Sequence, residues 1–505
     1  MNEFTMWEEK IVFLNGWFVY MDGKGNNSII SHERARMLEL GYQRYQASMD
    51  VNRGGAEYEQ AYPSRGFVLK GKEYIYEKFR VDQLIIGGVN PIPRVLKIPK
   101  KIKNIKINCI AREAFKDEAV IEEVIFHDDI HTIGEAAFAG CEKLRRINIS
   151  DKHINIKNDA FKGTAIISSK VSYLNNVLVK VESNYEGVLK VKEGTLAIAD
   201  EALLGCTEIT QVDLPDGLIS IGKASFKNCR GLRKIILPES VQTIDKFAFS
   251  DCSNLKAIKL PKTMKQIGWG TFANCVILEQ INMPDGISEI GRMTFEKCKN
   301  LFEINIPKTV RKICFDAFKG SGLQIAYRDS CENELYIDNW LIHYKYDKVL
   351  TLVIKEGTIG IADMDWSQSK KIQSVELPNS LKYIGNYAFL GALIQSVNLP
   401  QGILRIGSAA FRGTALKEIC IPDSVQEIEE WAFMDCENVE NITVNGKNTN
   451  IIGAAITGRK DKRPIIIYAP QNSTANKYCL KYGQKDNLIF KSLETGFLKK
   501  IFKNQ

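Results

Sequence analysis

Apolar and polar positions in the central part of this chain repeat with a fixed step of 23 residues. The step is clearest in four leucines, Leu232, Leu255, Leu278 and Leu301. A step of about 20–29 residues with leucine-rich patterning is typical of repeats that stack on one another. Such a repeat cannot bury its apolar face alone, so the pattern predicts a solenoid rather than a set of globular domains.

The unit that spans residues 232–252 shows how one coil is expected to form. Ile235 and Leu237 lie two positions apart, so a strand turns both to the same side, while Ile236 faces the other way. Pro238 has no N–H for a ladder and therefore marks the end of the strand. Each unit is thus predicted to contribute one strand to a parallel sheet along the solenoid.

A column of large apolar residues recurs once in every coil, and we call it the phenylalanine column. Residues in such a lattice are expected to be core rather than part of a cofactor site. Its members are Phe115, Phe138, Phe161, Leu203, Phe226, Phe249, Phe272, Phe295, Phe318, Trp366, Phe389, Phe411 and Phe433.

The recurring motif can be written LPxxVxxIGxxAFxxC. One copy runs from Leu214-Pro215 through Ile221-Gly222 to Cys229, and another from Leu377-Pro378 through Ile384-Gly385 to Phe389. The motif resembles the BspA-type leucine-rich repeat family of bacterial surface proteins. The resemblance implies a curved leucine-rich repeat solenoid that binds proteins, often at a cell surface. About fourteen 23-residue coils with a parallel β-sheet face fit the sequence.

A longer period lies over the first. Residues 173–179 match residues 336–342 at an offset of 163, which indicates an internal duplication. Each copy contains an Asn-Asn or Asp-Asn pair between apolar residues, a pattern typical of a short hairpin. Two hairpin inserts are therefore predicted, near residues 166–187 and 324–350.

The ends of the chain do not follow the repeat. Residues 1–90 are predicted to form an N-terminal cap or small appended domain, with a strand over Ile11–Tyr20 and a helix over Ser31–Met49. Residues 91–458 form the predicted solenoid, and residues 459–505 a C-terminal cap with a basic tail. Within that cap, Ser473 is a suitable N-cap for a helix that Gly483 would end.

The charge balance is close to even, with 68 basic and 60 acidic residues. This excess does not call for a nucleic-acid partner. No stretch is apolar for long enough to predict a transmembrane segment. The N-terminus lacks the basic start of a secretory signal, so the sequence as given predicts a cytoplasmic location, whereas the family resemblance allows the cell surface.

Histidines and cysteines are the candidate ligands for a metal. His127 and His131 stand four residues apart but lack the glutamate of a zinc-protease helix, and solvated surface histidines are the favoured interpretation. The twelve cysteines show no close pairs of the kind that bind zinc. Stacked in coils about 4.8 Å apart, they are expected to be buried free thiols rather than disulfides.

No phosphate-binding loop, nucleophile motif or carboxylate pair stands out, so no catalytic residue, cofactor or metal is expected. The outward strand positions remain as the candidate partner-binding face, and stacked solenoid strands commonly bind partners. The hypothesis is a non-enzymatic scaffold for a protein or glycan partner; the alternative is an adhesin-like surface protein. Trp340 in the second hairpin either packs under the hairpin or adds an edge contact. The candidate face comprises Asp213, Lys259, Asn282, Asn305, Glu376 and Asn398.

Overall fold

The chain forms two compact units, residues 1–253 and residues 254–505. The computed structural model describes residues 9–14, 17–22, 27–30, 94–98, 100–102, 105–106, 108–110, 112–149, 154–167, 169–345, 350–364, 371–456 and 463–493. The predicted helix over Ser31–Met49, the basic tail after residue 493 and Trp366 lie outside the described residues.

The predicted leucine-rich repeat solenoid is confirmed, with about sixteen turns against the fourteen expected. One 23-residue step along the sequence is one step across the sheet: Gln211 pairs with Lys234, and Val212 with Ile235. A second ladder of short strands follows the same step, and there Ile221 pairs with Ile244. Such a coil therefore contributes to two parallel ladders, and apolar residues from both are buried in the core.

In the unit of residues 1–253, three groups of strands are present among the described residues. The N-terminal strands are β1 (Glu9–Leu14), β2 (Trp17–Asp22) and β3 (Asn27–Ile30). The next coils contain β4 (Val95–Lys97), β5 (Lys101–Ile102), β6 (Ile105–Lys106), β7 (Cys109–Ile110), β8 (Glu123–Ile125), β9 (Thr132–Ile133), β10 (Arg146–Asn148) and β11 (Asn155–Ile156). The first hairpin and later coils contain β12 (Val171–Leu174), β13 (Val177–Val181), β14 (Gly187–Lys190), β15 (Ala197–Ile198), β16 (Ile209–Asp213), β17 (Ser220–Ile221), β18 (Lys234–Ile235) and β19 (Thr243–Ile244).

In the unit of residues 254–505, the described elements include two helices. The elements before the second hairpin are β20 (Ala257–Lys259), β21 (Gln266–Ile267), β22 (Gln280–Asn282), β23 (Glu289–Ile290), β24 (Lys312–Ile313) and α1 (Gly322–Asp329). The hairpin and the following coils contain β25 (Glu334–Ile337), β26 (Trp340–Tyr344), β27 (Thr351–Val353), β28 (Gly360–Ile361), β29 (Ser374–Glu376), β30 (Tyr383–Ile384), β31 (Arg405–Ile406), β32 (Glu418–Ile421), β33 (Glu427–Ile428), β34 (Asn441–Val444) and β35 (Asn450–Ile451). The C-terminal elements are β36 (Ile465–Ala469), α2 (Thr474–Asp486) and β37 (Leu488–Ser492).

The N-terminal strands extend the solenoid sheet. The predicted single strand over Ile11–Tyr20 is two strands, because β1 and β2 pair antiparallel with Leu14 opposite Trp17. The two residues between them are Asn-Gly, the strongest short hairpin sequence. β3 then pairs parallel with β7, with Ser28 opposite Cys109. These strands give the ladder of short strands a paired edge.

Both predicted hairpins are present, and each is built into the ladder of short strands. In the first, β13 pairs antiparallel with β12 and parallel with β15. In the second, β26 makes the same two pairings with β25 and β28. The segment from residue 324, predicted as hairpin, begins instead as helix α1, whose N-cap Ser321 accepts a hydrogen bond from the Gln324 N–H. The hairpin itself starts at Glu334.

The phenylalanine column is core in all its described members, as predicted. Adjacent rings stack face to face, with centroids 5.0 Å apart for Phe226 and Phe249 and 5.2 Å apart for Phe389 and Phe411. All twelve cysteines are free thiols, and ten are buried; Cys331 and Cys420 are exposed. The prediction of buried free thiols is therefore confirmed for the column, and no disulfide links the coils.

The C-terminal helix α2 begins after Ser473, as predicted, and the Ser473 hydroxyl accepts from the Asn476 N–H. It continues past Gly483 to Asp486, and its C-cap Asn487 adopts the left-handed conformation. Asparagine is the usual alternative to glycine at that position, which explains the later end. Neither helix in the described part of the chain is long and apolar enough to span a membrane.

Candidate functional site

Three regions of the described structure are candidate sites: two outward strand faces, which the sequence predicted, and a cavity, which it did not. The first is the outward strand face of the unit of residues 1–253. There Asp213 is the last residue of β16, half-exposed, and accepts a hydrogen bond from Gln211 Nε2 at 2.6 Å. Ile236 beside it is 68% exposed. Both line a groove of about 240 Å³ whose other polar residues are Gln211, Asp216 and Lys234.

The second region is the outward strand face of the unit of residues 254–505. Lys259 and Asn282 stand directly opposite each other on β20 and β22, and both side chains are exposed. Asn305 is exposed one 23-residue step later, in a segment outside the strands that also presents Phe302. Phe302 is 62% exposed, an unusual fraction for an aromatic residue.

The remaining strand-face candidates follow in later coils of the same unit. Glu376 ends β29 opposite Val353 of β27, and both are exposed. Asn398 is exposed as well, in a segment outside the strands. Beside Glu376, Val353 adds exposed apolar surface.

Trp340 does not belong to an exposed face. Its side chain is 1% exposed and stacks on Tyr383 with ring centroids 6.0 Å apart. The ring lies directly over Gly360, where a Cβ atom would approach it to 2.4 Å. Of the two interpretations of Trp340, the structure therefore shows packing under the hairpin, and a partner cannot reach it.

The histidine pair does not form a metal site. His127 is buried, which corrects the expectation of a solvated side chain; its Nδ1 accepts from the Asp129 N–H at 3.3 Å. This bond holds the turn that follows β8 against the ring. His131 is exposed and contacts Thr132. Among the described residues, no three His, Cys, Asp or Glu side chains are grouped to hold a metal ion.

The third region is a cavity of about 370 Å³ within the unit of residues 254–505, which sequence analysis did not predict. Helix α1 and the hairpin β25–β26 form one side, and the coil around Cys314 forms the other. Tyr327 and His343 meet edge to face in its wall, with centroids 5.6 Å apart. Lys319 and Arg328 are exposed at its rim.

Asp363 is the buried carboxylate of this cavity. It is 9% exposed and accepts two hydrogen bonds from Asn386, one from the backbone N–H at 2.8 Å and one from Nδ2 at 3.1 Å. Burial raises the pKa of Asp363 to about 6, since desolvation disfavours the charged form. The hydrogen bond from the Asn386 N–H and the positive charges of Lys312 and Arg405 act in the opposite direction.

The number of residues that separates matching positions in the two copies changes before the second hairpin. This change is the sequence feature that could have revealed the cavity. Asp159 to Gly163 match Asp316 to Gly320 at an offset of 157, whereas Tyr173 matches Tyr336 at 163. The second copy thus contains six additional residues before its hairpin. These residues provide the length for α1, which covers the cavity.

Comparison with known proteins gives a family match for the chain. The BspA type leucine rich repeat region matches in six copies over residues 96–184, 195–324 and 343–485. A search of curated proteins found no match.

Several solved structures are similar to this chain. A leucine rich repeat protein of T. pallidum is 23% identical, with 42% of this chain and 78% of that chain covered and a TM-score of 0.21. A leucine-rich repeat protein from Bacteroides ovatus is 19% identical, with 98% and 100% covered and a TM-score of 0.25. A leucine rich cell surface protein from Faecalibacterium prausnitzii is 16% identical, with 97% and 96% covered and a TM-score of 0.24. With the family match covering most of its length, this chain belongs to the BspA-type leucine-rich repeat proteins.

Proposed function

We propose that the chain is a non-enzymatic binding scaffold that recognises a protein partner through the outward strand face around Lys259, Asn282, Asn305 and Phe302. The observation that carries this proposal is the exposure of Phe302 beside a row of polar side chains. Aromatic residues in a polar surround are the usual centres of binding energy at protein interfaces.

The geometry of the face supports a patch rather than scattered residues. The ladder register sets Lys259 against Asn282, and the 23-residue step brings Asn305 next in the row. Phe302 takes the register position of Lys256 and Glu279.

The patch has a charged edge and an aromatic edge. Lys256 and Glu279 form an exposed ion pair at 3.2 Å. Next to that pair, one edge of the Phe302 ring packs against the start of α1, because a Cβ at Gly322 would lie 2.9 Å from Phe302 Cε1. That contact limits the motion of the ring and lowers the entropy cost of binding it.

The intact chain used as bait, with captured proteins quantified by mass spectrometry, tests the proposal. Two variants probe the face: Lys259→Glu combined with Asn282→Arg, and Phe302→Ala. Either variant is expected to reduce capture of the dominant partner by about tenfold or more, the effect of losing one interface hot spot. Both should keep the circular dichroism spectrum of the wild type.

A matched control is available in the same two coils. Lys265 and Ser288 are exposed and 23 residues apart, so Lys265→Glu with Ser288→Arg makes the same charge changes outside the patch. Capture by this control should equal that of the wild type. Equal losses in both double variants would contradict a specific face. Capture abolished by removing glycans from the lysate would assign the face to a glycan instead.

The adhesin-like alternative concerns location and rests on the family. If the chain acts at a cell surface, protease added to intact cells should degrade it while a cytoplasmic marker survives. Survival of the chain together with the marker would place the scaffold inside the cell and reject the adhesin proposal. The binding face proposed above does not depend on which location is found.

A further inference from the structure

The two copies of the duplication place Lys157 and Cys314 at the same point of the coil. In the first copy the Asp200 N–H donates to the carbonyl of Ile156, and in the second the Asp363 N–H donates to the carbonyl of Ile313, at 3.1 and 2.8 Å. Asp200 and Asp363 are therefore equivalent buried carboxylates. The residue after each isoleucine is Lys157 in one copy and Cys314 in the other.

In the first copy the chain supplies its own ammonium group. Lys157 Nζ lies 3.6 Å from Asp200 Oδ2 and 3.9 Å from Asp245 Oδ2. The Asp200 side chain is almost fully buried, and this ion pair compensates its charge. A buried carboxylate without such compensation destabilises the fold, so Lys157 stabilises the charge of Asp200.

In the second copy the carboxylate is kept but the ammonium is absent from the equivalent position. Cys314 carries no charge, and its thiol donates instead to Glu289 Oε1 at 3.0 Å. Lys312 and Arg405 are the cations that act on Asp363. Neither stands at the position of Lys157, and the Arg405 Nε donates to Glu429 Oε1 at 2.7 Å. Asp363 is held in place by the Asn386 amide and faces the cavity.

Cys314 lines the cavity at the position where the first copy has Lys157. Its volume, about 370 Å³, lies within the usual range of about 300–1,000 Å³ for sites that hold small ligands. Asp363 and Cys314 both line it, together with the apolar side chains Leu335 and Ile342 and the rings of Tyr327 and His343. An alkyl chain in the cavity would therefore contact apolar and aromatic side chains, and a charged group at its end would contact a carboxylate.

We propose that this cavity binds a primary ammonium group on an alkyl stem, with Asp363 as its counter-ion, in the position that Lys157 fills in the first copy. The group could be supplied by a small alkylamine or by the lysine side chain of a partner protein, because both present the same chemistry. The site is separate from the strand face, and the proposal does not rest on the proposed function.

Saturation-transfer NMR with n-butylammonium as the probe, and n-butanol as its uncharged counterpart, tests the proposal at neutral pH. The full-length wild type is expected to bind n-butylammonium about tenfold or more tightly than n-butanol, as for a charge-assisted hydrogen bond. Cys314→Lys should abolish binding because the new ammonium occupies the site. Cys314→Ala, the matched control, should retain it.

Asp363→Asn should weaken binding of n-butylammonium by a similar factor. If Asp363→Asn fails to fold, the result with Cys314→Lys decides the test. No saturation transfer to n-butylammonium, or equal transfer in wild type and Cys314→Lys, would overturn the proposal. A blocked peptide with one lysine distinguishes the sources. Binding of this peptide but not of its acetyl-lysine form assigns the site to a lysine side chain, and failure of both while n-butylammonium binds assigns it to a small amine.

Discussion

The thiol of Cys252 donates a hydrogen bond to the backbone carbonyl of Phe226, 3.1 Å away in the preceding coil. Cys298 makes the same contact with the carbonyl of Phe272, also at 3.1 Å. Cys141 and Cys436 likewise donate to the carbonyls of Phe115 and Phe411, so these cysteines satisfy buried carbonyls beside the stacked rings. A buried carbonyl without a partner would be destabilising, so the column of small thiols and the phenylalanine column stabilise the lattice together.

The phenylalanine column predicts a large loss of stability on truncation. Phe272 is fully buried and stacks on Phe295 with centroids 5.9 Å apart. Phe272→Ala should therefore lower the free energy of unfolding by ~3–5 kcal/mol, the usual cost of removing a buried phenylalanine. Thermal and denaturant unfolding measure it. Phe302→Ala, which removes a largely exposed ring, is the control and should change stability little.

The cysteines predict a sharp difference between native and denatured reactivity. Burial raises the pKa of the Cys206 thiol to about 11, which suppresses the reactive thiolate. Only Cys331 and Cys420 are exposed. Titration with Ellman's reagent should detect those two thiols in the native protein and all twelve after denaturation without reductant. A denatured count well below twelve would reveal disulfides and contradict the structure.

Asp363 predicts a pH dependence of stability. Its folded-state pKa is raised from 3.8 to about 6 by burial, with Lys312 and Arg405 lowering and Glu429 raising the value. The folded state thus binds the proton more tightly than the unfolded state. The stabilising contribution is fully present below about pH 4 and is lost as the pH rises through 6.

Denaturant unfolding between pH 4 and pH 7.5 measures this effect. Relative to Asp363→Asn, which has no such titration, the wild type should lose on the order of 2 kcal/mol over that window. Asp316→Asn, at a half-exposed position of the same cavity, is the control and should follow the wild type. A constant difference between wild type and Asp363→Asn across the window would show that Asp363 titrates normally.

The two hairpins differ at one cross-strand pair, and this difference predicts that one substitution can offset another. Trp340 pairs with Gly360 in the second copy, whereas Val177 pairs with Ala197 at the same register in the first. Gly360→Ala should destabilise the protein by about 1–3 kcal/mol, because the added Cβ meets the tryptophan ring.

Trp340→Val combined with Gly360→Ala recreates the pair of the first copy. The double variant should be less destabilised than the sum of its two single variants, by an interaction energy of about 0.5–3 kcal/mol that a double-mutant cycle measures. Ala197→Gly in the first copy supplies the reference for a change at this register without a facing tryptophan. Strict additivity of the two single variants would mean that the ring and the Cβ do not compete for space.

The repeat lattice was predictable from the sequence because each coil presents the same apolar positions at the same step, and many coils reinforce the pattern. Details that depend on contacts made by a single coil were not predictable from the sequence. The burial of Trp340 depends on the absence of a side chain at Gly360, which lies in another coil. The cavity is covered by α1, for which six additional residues provide the length, and the pairing of Asp363 with Asn386 depends on contacts between coils. Local patterns do not encode such contacts.

The central claim is that partners bind the outward strand face, and site-specific photo-crosslinking tests it most directly. A photoreactive amino acid replaces Asn282 in one variant and Ser288 in another; both positions are exposed in the same coil, on and off the proposed face. We predict that irradiation in the native cell extract links a defined partner to the residue-282 variant and leaves the residue-288 variant unlinked. Linkage of the same partner through residue 288 alone would contradict the account.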